Sequence, residues 1–332
     1  MSIKENTFKI CTNTPHKWPE SIDIDKKGNL YFTDTSEGTL YKIKRNDDKT
    51  LEPETALIRE LKGAGGISID REKNVLYLGA VIESNEGDMS KIFRIPLRIF
   101  ESDAELPLTY KELNKYASDK NTELSEWDIS NNPNGVVLDK RGNAIYYTFE
   151  RLRFFSPVIK LKGHIGKIHP DTHEKPLIIK ELYSPNGIDI DASSEETNMI
   201  VAITLENSIK RFTLSNGKIT ETVTVDLGKG GHWLLKHLPD GLLRMDNGDI
   251  LVAAFGSGKI LYIPWNAGSY GDPVEVVNGL GHPTDLIIGP SSSGNGESLF
   301  VTTKSSWISR DECIAKGKVI EIDIIALTLP PY

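Results

Sequence analysis

The stretch SPNGIDIDAS, residues 184–193, joins an Asn-Gly turn to a short run of alternating apolar residues. Ile188 and Ile190 have the period of a half-buried strand, and Asn-Gly is a strong turn signal. Related phrases occur at five other places in the 332 residues. The six copies are PESIDIDKKGNLYFTDTSEGTLYKI, GGISIDREKNVLYLGA, PNGVVLDKRGNAIYYTF, PNGIDIDASSEETNMIVAI, PDGLLRMDNGDILVAAFGSGKILYI and HPTDLIIGPSSSGNGESLFVTT, beginning at residues 19, 65, 133, 185, 239 and 282.

Each copy predicts a β-hairpin, because a turn, an apolar strand, a second tight turn and a second apolar strand follow one another. A third strand follows in most units, as TLYKI (39–43), KIFRI (91–95), SIKRF (208–212), KILYI (259–263) and KVIEI (318–322). Four strands per unit are typical of a propeller blade. We therefore predict an all-β, six-bladed β-propeller of antiparallel strands, with FKIC at residues 8–11 as the outer strand that closes the ring.

The interval of about residues 102–131 separates the second unit from the third and is polar and acidic. It contains LTYKELNKYAS, where a helical period is visible. We expect one domain spanning residues 1–332, with this interval as an insertion. Two interpretations stay open: a lid over the tunnel mouth or a simple insertion.

Composition excludes several classes of function. The net charge is −8 and the basic residues form no stripe, so we expect no nucleic-acid partner. No run of about 18 apolar residues is present and residues 1–20 lack an apolar signal region, so we expect a cytoplasmic protein without a membrane partner. We expect a monomer or weak dimer that binds a small-molecule substrate. Two cysteines, Cys11 and Cys313, are too few for a disulfide framework, and one disulfide between them stays open.

A polar residue recurs where each inner strand would begin, beside the central tunnel. These residues are Glu20, Asn134, Asn186 and Asp240, whereas the second unit has Gly65 and Gly66 and the sixth has Thr284 and Asp285. Converging carboxylates would repel one another unless a cation lay between them. Oxygen donors favour Ca²⁺, with Mg²⁺, Mn²⁺ or Zn²⁺ as alternatives. Asn-Gly and Asp-Gly are also good turn formers, but Glu20-Ser21 is not a favoured turn pair.

The sequence resembles the family that includes regucalcin (senescence marker protein 30) and bacterial gluconolactonases, and more distantly paraoxonases and diisopropylfluorophosphatase. SPNGIDID, NSIKRF and LPDGLLRMDNGDILVAAFGSGKI carry the resemblance, which spans roughly residues 19–323. It implies a six-bladed propeller with a catalytic divalent metal bound by Glu20, Asn134, Asn186 and Asp240. It also implies lactone hydrolysis, with organophosphate hydrolysis as a variant. GGISIDREKN contains no histidine, which argues against a paraoxonase-like site.

In such a site the metal would polarise an ester or lactone carbonyl, and Asp240 would act as general base or nucleophile. The substrate contacts that we predict are His232, Trp233, Trp18 and Thr284. Other tunnel-lining candidates are Phe149, Tyr183, Phe255 and Trp307.

The remaining histidines suggest less. His16 and His237 precede the turns of Glu20 and Asp240, so they are further candidates for the tunnel mouth. His164, His169 and His173 have a spacing that does not converge on a metal, whereas His282 and Asp285 are candidates for a second, structural Ca²⁺. Two alternatives to the hydrolase stay open: a propeller that binds a ligand or partner without chemistry, and a strictosidine-synthase-like condensing enzyme.

Overall fold

The fold consists of six antiparallel sheets arranged as the blades of a propeller. The computed structural model describes residues 8–84, 87–101, 105–120, 122–129, 133–139, 141–153, 160–172, 174–192, 196–228, 237–266, 268–294, 296–304 and 316–324. The prediction of a six-bladed all-β propeller is therefore confirmed. Blades are numbered here in chain order, and the inner strand of each blade is the strand beside the central tunnel.

The first part of the chain forms blades 1 and 2 and the segment between blades 2 and 3. Its strands are β1 (Lys9–Ile10), β2 (Pro19–Ile24), β3 (Leu30–Asp34), β4 (Thr39–Arg45), β5 (Leu51–Arg59), β6 (Gly63–Asp70), β7 (Val75–Ser84), β8 (Gly87–Pro96), β9 (Leu108–Thr109) and β10 (Ser125–Ile129), with the helix α1 (Tyr110–Asp119) between the last two. Blade 1 has the order β2-β3-β4-β5, and blade 2 has the order β6-β7-β8-β10.

Blades 3 and 4 follow the same plan, with four consecutive strands each. Blade 3 contains β11 (Pro133–Leu138), β12 (Ile145–Arg153), β13 (Lys160–Ile168) and β14 (Leu177–Tyr183). Blade 4 contains β15 (Pro185–Ala192), β16 (Glu196–Ile203), β17 (Ser208–Ser215) and β18 (Lys218–Asp226).

Blades 5 and 6 complete the propeller. Blade 5 contains β19 (Pro239–Arg244), β20 (Ile250–Ala254), β21 (Lys259–Ile263) and β24 (Val274–Val277), with the small hairpin β22 (Trp265–Asn266) and β23 (Ser269–Tyr270) inserted before its last strand. Blade 6 contains β25 (His282–Pro290), β26 (Glu297–Lys304) and β27 (Lys318–Asp323), and β1 pairs with β27 as the outermost strand of this sheet. Short 3₁₀ helices span Leu97–Glu101, Thr204–Glu206 and Phe255–Ser257.

The hydrophobic core lies between neighbouring blades. The second strands, β3 and β20, are buried along their whole length because each has a blade on both faces. One cluster joins Tyr146 and Ile165 of blade 3 to Val201 of blade 4, and the next joins Ile200 of blade 4 to Val252 of blade 5. Each sheet therefore depends on its neighbours to cover its apolar residues.

The interval of residues 102–131 differs from the prediction. β10 is the outer strand of blade 2, β9 adds to the outer strand of blade 1, and α1 buries Leu113 and Ala117 in the cluster shared by these blades. A Thr109 to Glu112 capping box starts the helix. The described residues of the interval thus lie at the outer edge, and none of them lines the tunnel. The lid interpretation stays a prediction that these contacts do not favour, because strand pairing and packing hold the described residues on the outside.

Within the described part of the chain, the helices are short, and none qualifies as a segment that could cross a membrane. The longest, α1, has ten residues.

Candidate functional site

A β-bulge interrupts the inner strand of every blade at the position of the recurring polar residue. The register shifts lie between Pro19 and Ile22, Ala64 and Ile67, Pro133 and Val136, Pro185 and Ile188, Pro239 and Leu242, and Pro283 and Asp285. A bulge places two residues of one strand opposite one of its partner, which changes the direction of a side chain. The six-fold repeat therefore extends to a backbone irregularity at the candidate site.

The predicted metal ligands all line one cavity. This tunnel has a volume of about 740 Å³, and all six inner strands contribute to its wall. Glu20, Asn134, Asn186 and Asp240 lie in the bulges at its edge. The Asp240 residue is buried, and the other three are half-buried. The fold thus collects four oxygen-bearing side chains that are distant in sequence.

Glycine follows three of these residues because neighbouring inner strands approach closely. A Cβ atom on Gly187 would lie 2.6 Å from the carbonyl oxygen of Asp240, and one on Gly135 would lie 2.7 Å from that of Asn186. Real Cβ atoms do not tolerate such contacts with backbone. The Asn-Gly pairs, predicted from the sequence to be turns, therefore have a second role. Their glycines allow the inner strands of adjacent blades, and the candidate ligands on them, to lie close together.

Three threonines on the second strands of their blades each form hydrogen bonds to the inner strands of two neighbouring blades. Thr148 of β12 accepts a hydrogen bond from the Gly135 N–H at 2.8 Å and donates one to the carbonyl of Asn186 at 2.6 Å. Thr33 of β3 makes the same two bonds, from Ser21 N–H at 3.2 Å and to Gly65 O at 2.8 Å. Thr302 accepts from Asp285 N–H at 3.1 Å and reaches the Glu20 carbonyl at 3.5 Å. Each hydroxyl lies opposite a bulge and satisfies its exposed backbone groups.

Buried aspartates make a second set of links deeper in the tunnel. Asp23 accepts the Ile69 N–H at 2.6 Å, and Asp285 accepts the Ile22 N–H at 3.1 Å and the Ser21 hydroxyl at 2.7 Å. Burial raises the pKa of Asp23 to about 6 and the pKa of Asp285 to about 7. These carboxyls hold neighbouring blades together, and desolvation favours their neutral form.

Lys304 is a site residue that the sequence analysis missed. Its Nζ lies 2.5 Å from Oε2 of Glu20 and 5.5 Å from the centre of the Phe255 ring. Burial disfavours its charge, but the carboxylates of Glu20 and Asp240 together raise the pKa of Lys304 above its ordinary value. The sequence contained one signal for this residue. Lys304 is a charged side chain at the tunnel end of β26, whereas Thr204 and Phe255, which are uncharged, occupy the matching positions in blades 4 and 5.

The candidates for a second structural ion have separate protein partners. His282 contacts the Phe255 carbonyl through Nδ1 at 3.0 Å, and its ring stacks on the Phe255 ring with centroids 4.6 Å apart. Asp285 is engaged by Ser21 and Ile22 in the inner strands. A second Ca²⁺ at these residues stays a prediction that the described contacts do not favour.

The predicted substrate contacts fall into three groups. Trp18 is 41% exposed beside the start of β2, as expected for a contact at the rim. Thr284 is buried in the tunnel wall, with its hydroxyl bonded to the Pro19 carbonyl at 2.8 Å, which favours a structural role. His232 and Trp233 lie outside the described residues, and so does Trp307.

Two of the aromatic candidates differ in position. Tyr183 is 41% exposed just before β15, whereas Phe149 is 1% exposed and packs in the core between blades. Phe149 as a tunnel-lining residue is therefore a wrong prediction, since its side chain belongs to the apolar interior. Phe255 contacts Lys304 at the tunnel edge.

Among the histidines that the structure describes, none lines the tunnel. His164 lies in β13, the third strand of blade 3, and His169 directly follows this strand. His173 lies outside the described residues. His237 shares a hydrogen bond with Ser257 at 2.8 Å, and burial lowers its pKa. His16 does not line the tunnel and lies among carboxylates of blade 1, those of Asp34, Glu37 and Glu54.

The family model of the SMP-30/gluconolactonase/LRE-like region matches residues 18–305. This match covers most of the chain, and the protein belongs to this family. The resemblance found in the sequence is thereby confirmed. A search of curated proteins found no match.

Solved structures show the same fold at low sequence identity. A luciferin-regenerating enzyme superposes with a TM-score of 0.65 at 15% identity, covering 95% of both chains. Regucalcin from Agrobacterium tumefaciens, a calcium-binding protein, has a TM-score of 0.58 at 14% identity and covers 96% of this chain and 93% of its own. Virginiamycin B lyase from Staphylococcus aureus has a TM-score of 0.54 at 13% identity, covering 96% and 99%. At these identities the likeness concerns the fold.

Proposed function

We propose that the protein is a divalent-metal-dependent hydrolase of a lactone or related ester. Membership of the gluconolactonase-containing family supports a lactonase-type hydrolase. The single observation that carries the metal-dependent mechanism is the convergence of Glu20, Asn134, Asn186 and Asp240 on one tunnel edge through equivalent β-bulges. A propeller that served only as a scaffold has no need for this set.

The donor set fits a hard divalent cation. Two carboxylates and two amide oxygens supply two negative charges and neutral oxygen ligands, which suit Ca²⁺ best, with Mg²⁺, Mn²⁺ and Zn²⁺ as alternatives. Glu20, Asn134, Asn186 and Asp240 would hold the ion. When bound, such an ion polarises a substrate carbonyl and stabilises the negative charge that develops on its oxygen.

Asp240 is the proposed general base or nucleophile. It is buried at the tunnel edge, and its carboxylate acts on Lys304 strongly enough to raise the pKa of that ammonium. An oxygen of Asp240 that faces the substrate would accept a proton from an attacking water, or attack the carbonyl itself. Either role requires the carboxylate form of Asp240.

Lys304 is proposed to make the site electropositive. The two carboxylates neutralise a divalent ion, so the ammonium adds one net positive charge. This charge would favour the negative charge that develops during acyl transfer, or a carboxylate on the substrate. Its contact with Glu20 also orients that carboxylate at the tunnel edge.

Exposed apolar side chains surround the same end of the tunnel. Trp18, Tyr183 and Leu205 are each 41% exposed, and they lie beside the starts of β2 and β15. An apolar rim above a polar floor is typical of small-molecule sites. We propose that the rim contacts the apolar part of the ester or lactone.

The pairing of β1 with β27 is proposed to close the ring. Residues from the beginning of the chain then complete the sheet formed by its last described strand. Closure would hold blade 6 against blade 1 and thereby keep Glu20 in position relative to Asp240.

The test is hydrolysis of a panel of lactones, aryl esters and phosphotriesters by chelated protein, with and without added Ca²⁺, Mg²⁺, Mn²⁺ or Zn²⁺. Asp240→Asn is compared with Asp246→Asn, the same change in the same blade at an exposed turn beyond the end of β19. We expect metal-dependent turnover that is lost in Asp240→Asn and retained in Asp246→Asn. Turnover that survives chelation, or that Asp240→Asn retains, would contradict the proposal.

A further inference from the structure

A second group of metal-ligating side chains lies outside the tunnel, where the N-terminal segment meets blade 1. His16, Asp34 and Glu37 each offer a ligand atom, and these atoms all lie within 4.8 Å of one another. Nδ1 of His16 is 3.8 Å from Oδ2 of Asp34 and 3.8 Å from Oε2 of Glu37. None of these three residues lines the tunnel.

The imidazole of His16 has no hydrogen-bond partner. It is 3% exposed, and neither of its ring nitrogens makes a hydrogen bond. Phe32 and Tyr41 enclose it edge-on, with ring centroids 5.0 and 4.7 Å away. Buried polar atoms are nearly always satisfied, so both nitrogens require a partner that the protein groups do not supply at these distances.

Two of the surrounding carboxylates, those of Asp34 and Glu54, are buried and fixed in place, and the third, that of Glu37, is partly exposed and accepts the Tyr41 hydroxyl. The Asp34 side chain is fully buried and accepts the N–H groups of Lys17 at 3.0 Å and Trp18 at 3.1 Å. The Glu54 side chain is 3% exposed, lies 3.7 Å from Nε2 of His16 and accepts the Thr14 N–H at 2.7 Å. Several negative charges around one imidazole favour a cation among them.

We propose that His16, Asp34 and Glu37 bind a transition-metal ion of the Zn²⁺ class. Nδ1 of His16, Oδ2 of Asp34 and Oε2 of Glu37 are the ligands, and water completes the coordination. Bonds of about 2.0–2.2 Å to such an ion place ligands slightly closer together than the 3.8 Å found here. Glu37, whose side chain is partly exposed, is the ligand that would move to complete the geometry.

Glu54 fits the second contact that a metal-bound histidine makes. Such a histidine usually donates its other ring N–H to a carboxylate, which fixes the tautomer and the ring orientation. Nε2 of His16 faces Oε1 of Glu54 at 3.7 Å, on the opposite side of the ring from Asp34. One carboxylate–histidine–metal chain thus accounts for both unpaired nitrogens.

The chemistry of this site differs from that of the tunnel. The tunnel offers oxygen donors, which favour Ca²⁺ or Mg²⁺, whereas an imidazole nitrogen favours Zn²⁺, Co²⁺ and related ions. His16 also pairs with Gly317 near blade 6 through both of its backbone groups, at 3.1 and 2.8 Å. An ion here would link the segment paired with blade 6 to the Asp34 turn of blade 1, so its role is structural.

The test uses full-length, chelated protein titrated with Co²⁺ and Zn²⁺. Apart from any ion in the tunnel, wild type should bind one Co²⁺ with the visible absorption of a nitrogen-ligated ion. Zn²⁺ should displace this ion and raise the Tm. Glu37→Gln keeps the shape of a half-exposed side chain and should weaken Zn²⁺ binding at least tenfold. His16→Ala should abolish Zn²⁺ binding at this site, together with the absorption of the nitrogen-ligated Co²⁺. Glu52→Gln, two residues from Glu54 on the same strand, is the control and should bind as wild type.

Asp240→Asn separates this site from the tunnel. Zn²⁺ affinity and the Co²⁺ absorption should be unchanged in this variant, whatever its effect on hydrolysis. The proposal is overturned if Glu37→Gln and His16→Ala bind Zn²⁺ as wild type does, or if only Asp240→Asn abolishes binding. It is equally overturned if chelated wild type binds no Co²⁺ or Zn²⁺.

Discussion

The ammonium of Lys304 lies 2.5 Å from Oε2 of Glu20, and this contact joins the last blade to the first at the tunnel edge. It places a fixed positive charge within the set of residues that we propose as metal ligands. The contact also explains how a buried lysine stays charged, since the carboxylates of Glu20 and Asp240 raise its pKa against the effect of burial. Metal binding and catalysis should therefore respond in opposite directions when this charge is removed.

Lys304→Met should strengthen metal binding and slow hydrolysis. Removing one positive charge several ångströms from a divalent ion should lower the metal Kd on the order of tenfold. The kcat should fall, because the charge that we propose to favour the transition state is gone. Isothermal titration calorimetry and kinetics at saturating metal measure the two effects. Lys44→Met, which removes a surface lysine paired with Glu52 at 2.8 Å, is the control; weaker metal binding by Lys304→Met would contradict the account.

Thr148→Val should destabilise the fold and loosen the site. The substitution keeps the side-chain shape but leaves the Gly135 N–H and the Asn186 carbonyl without their partner, which costs about 1–3 kcal/mol. Because these groups adjoin Asn134 and Asn186, metal affinity should fall as well. Urea unfolding and metal titration test both effects. The exposed Thr222→Val should change stability by no more than about 0.5 kcal/mol, and an equally small effect at Thr148 would argue against the link.

Stability should fall as the pH rises from about 4 to about 7. Burial raises the pKa of Asp285 to about 7 and that of Asp23 to about 6, above the value near 4 of an unfolded chain. Between these limits the unfolded chain releases protons that the folded protein keeps, so the free energy of unfolding decreases with pH. Above about pH 7 this contribution is constant.

Urea unfolding of chelated protein between pH 4.5 and 8 measures this dependence. Asp285→Asn should reduce the slope, because the side chain that retains its proton longest is removed. Asp246→Asn, at an exposed turn, should leave the slope as in wild type. A slope unchanged by Asp285→Asn would show that other groups cause it.

Cys11 should resist alkylation in the folded protein. Its thiol is free and buried, and burial raises the pKa of Cys11 to about 12, so the reactive thiolate is scarce at neutral pH. Iodoacetamide treatment followed by peptide mapping should find Cys11 labelled in urea and unlabelled without it. Rapid labelling under native conditions would contradict its buried position.

Much of the fold could be predicted because the repeat is local. The alternating residues around Ile188 and Ile190, and their counterparts in the other units, correspond to the inner strands that the structure contains. LTYKELNKYAS contains all but the last residue of the described helix, which begins at Tyr110 after the capping residue Thr109. Each of these features depends on neighbours within a few residues, so sequence spacing sufficed.

The outer strand of blade 2 could not be predicted in this way. Its residues, Ser125–Ile129, are mostly polar or acidic, and a helix separates them from the strand with which they pair. Only Trp127 and Ile129 mark the strand, and two apolar residues are too few to establish a period. The sequence analysis therefore assigned this strand to the insertion.

The candidate ligands could be predicted, whereas their surroundings could not. The four candidates occupy equivalent positions in the repeat: Glu20, Asn134, Asn186 and Asp240. The symmetry of a propeller therefore predicts from the sequence alone that they lie close together. Lys304 and Thr148 act through the register between strands and through contacts with the next blade, which the sequence does not display. The surroundings of His16 could not be predicted for the same reason, because its neighbours come from separate turns and strands that are distant in sequence.

The most direct test of the central claim is the anomalous diffraction of Mn²⁺ in crystals of the chelated protein soaked with this ion. We predict a peak at the tunnel edge within about 2.0–2.6 Å of oxygen atoms from Glu20, Asn134, Asn186 and Asp240. The peak should be absent from crystals of Asp240→Asn. A tunnel edge without a peak, or with these side chains directed away from a common centre, would contradict the account.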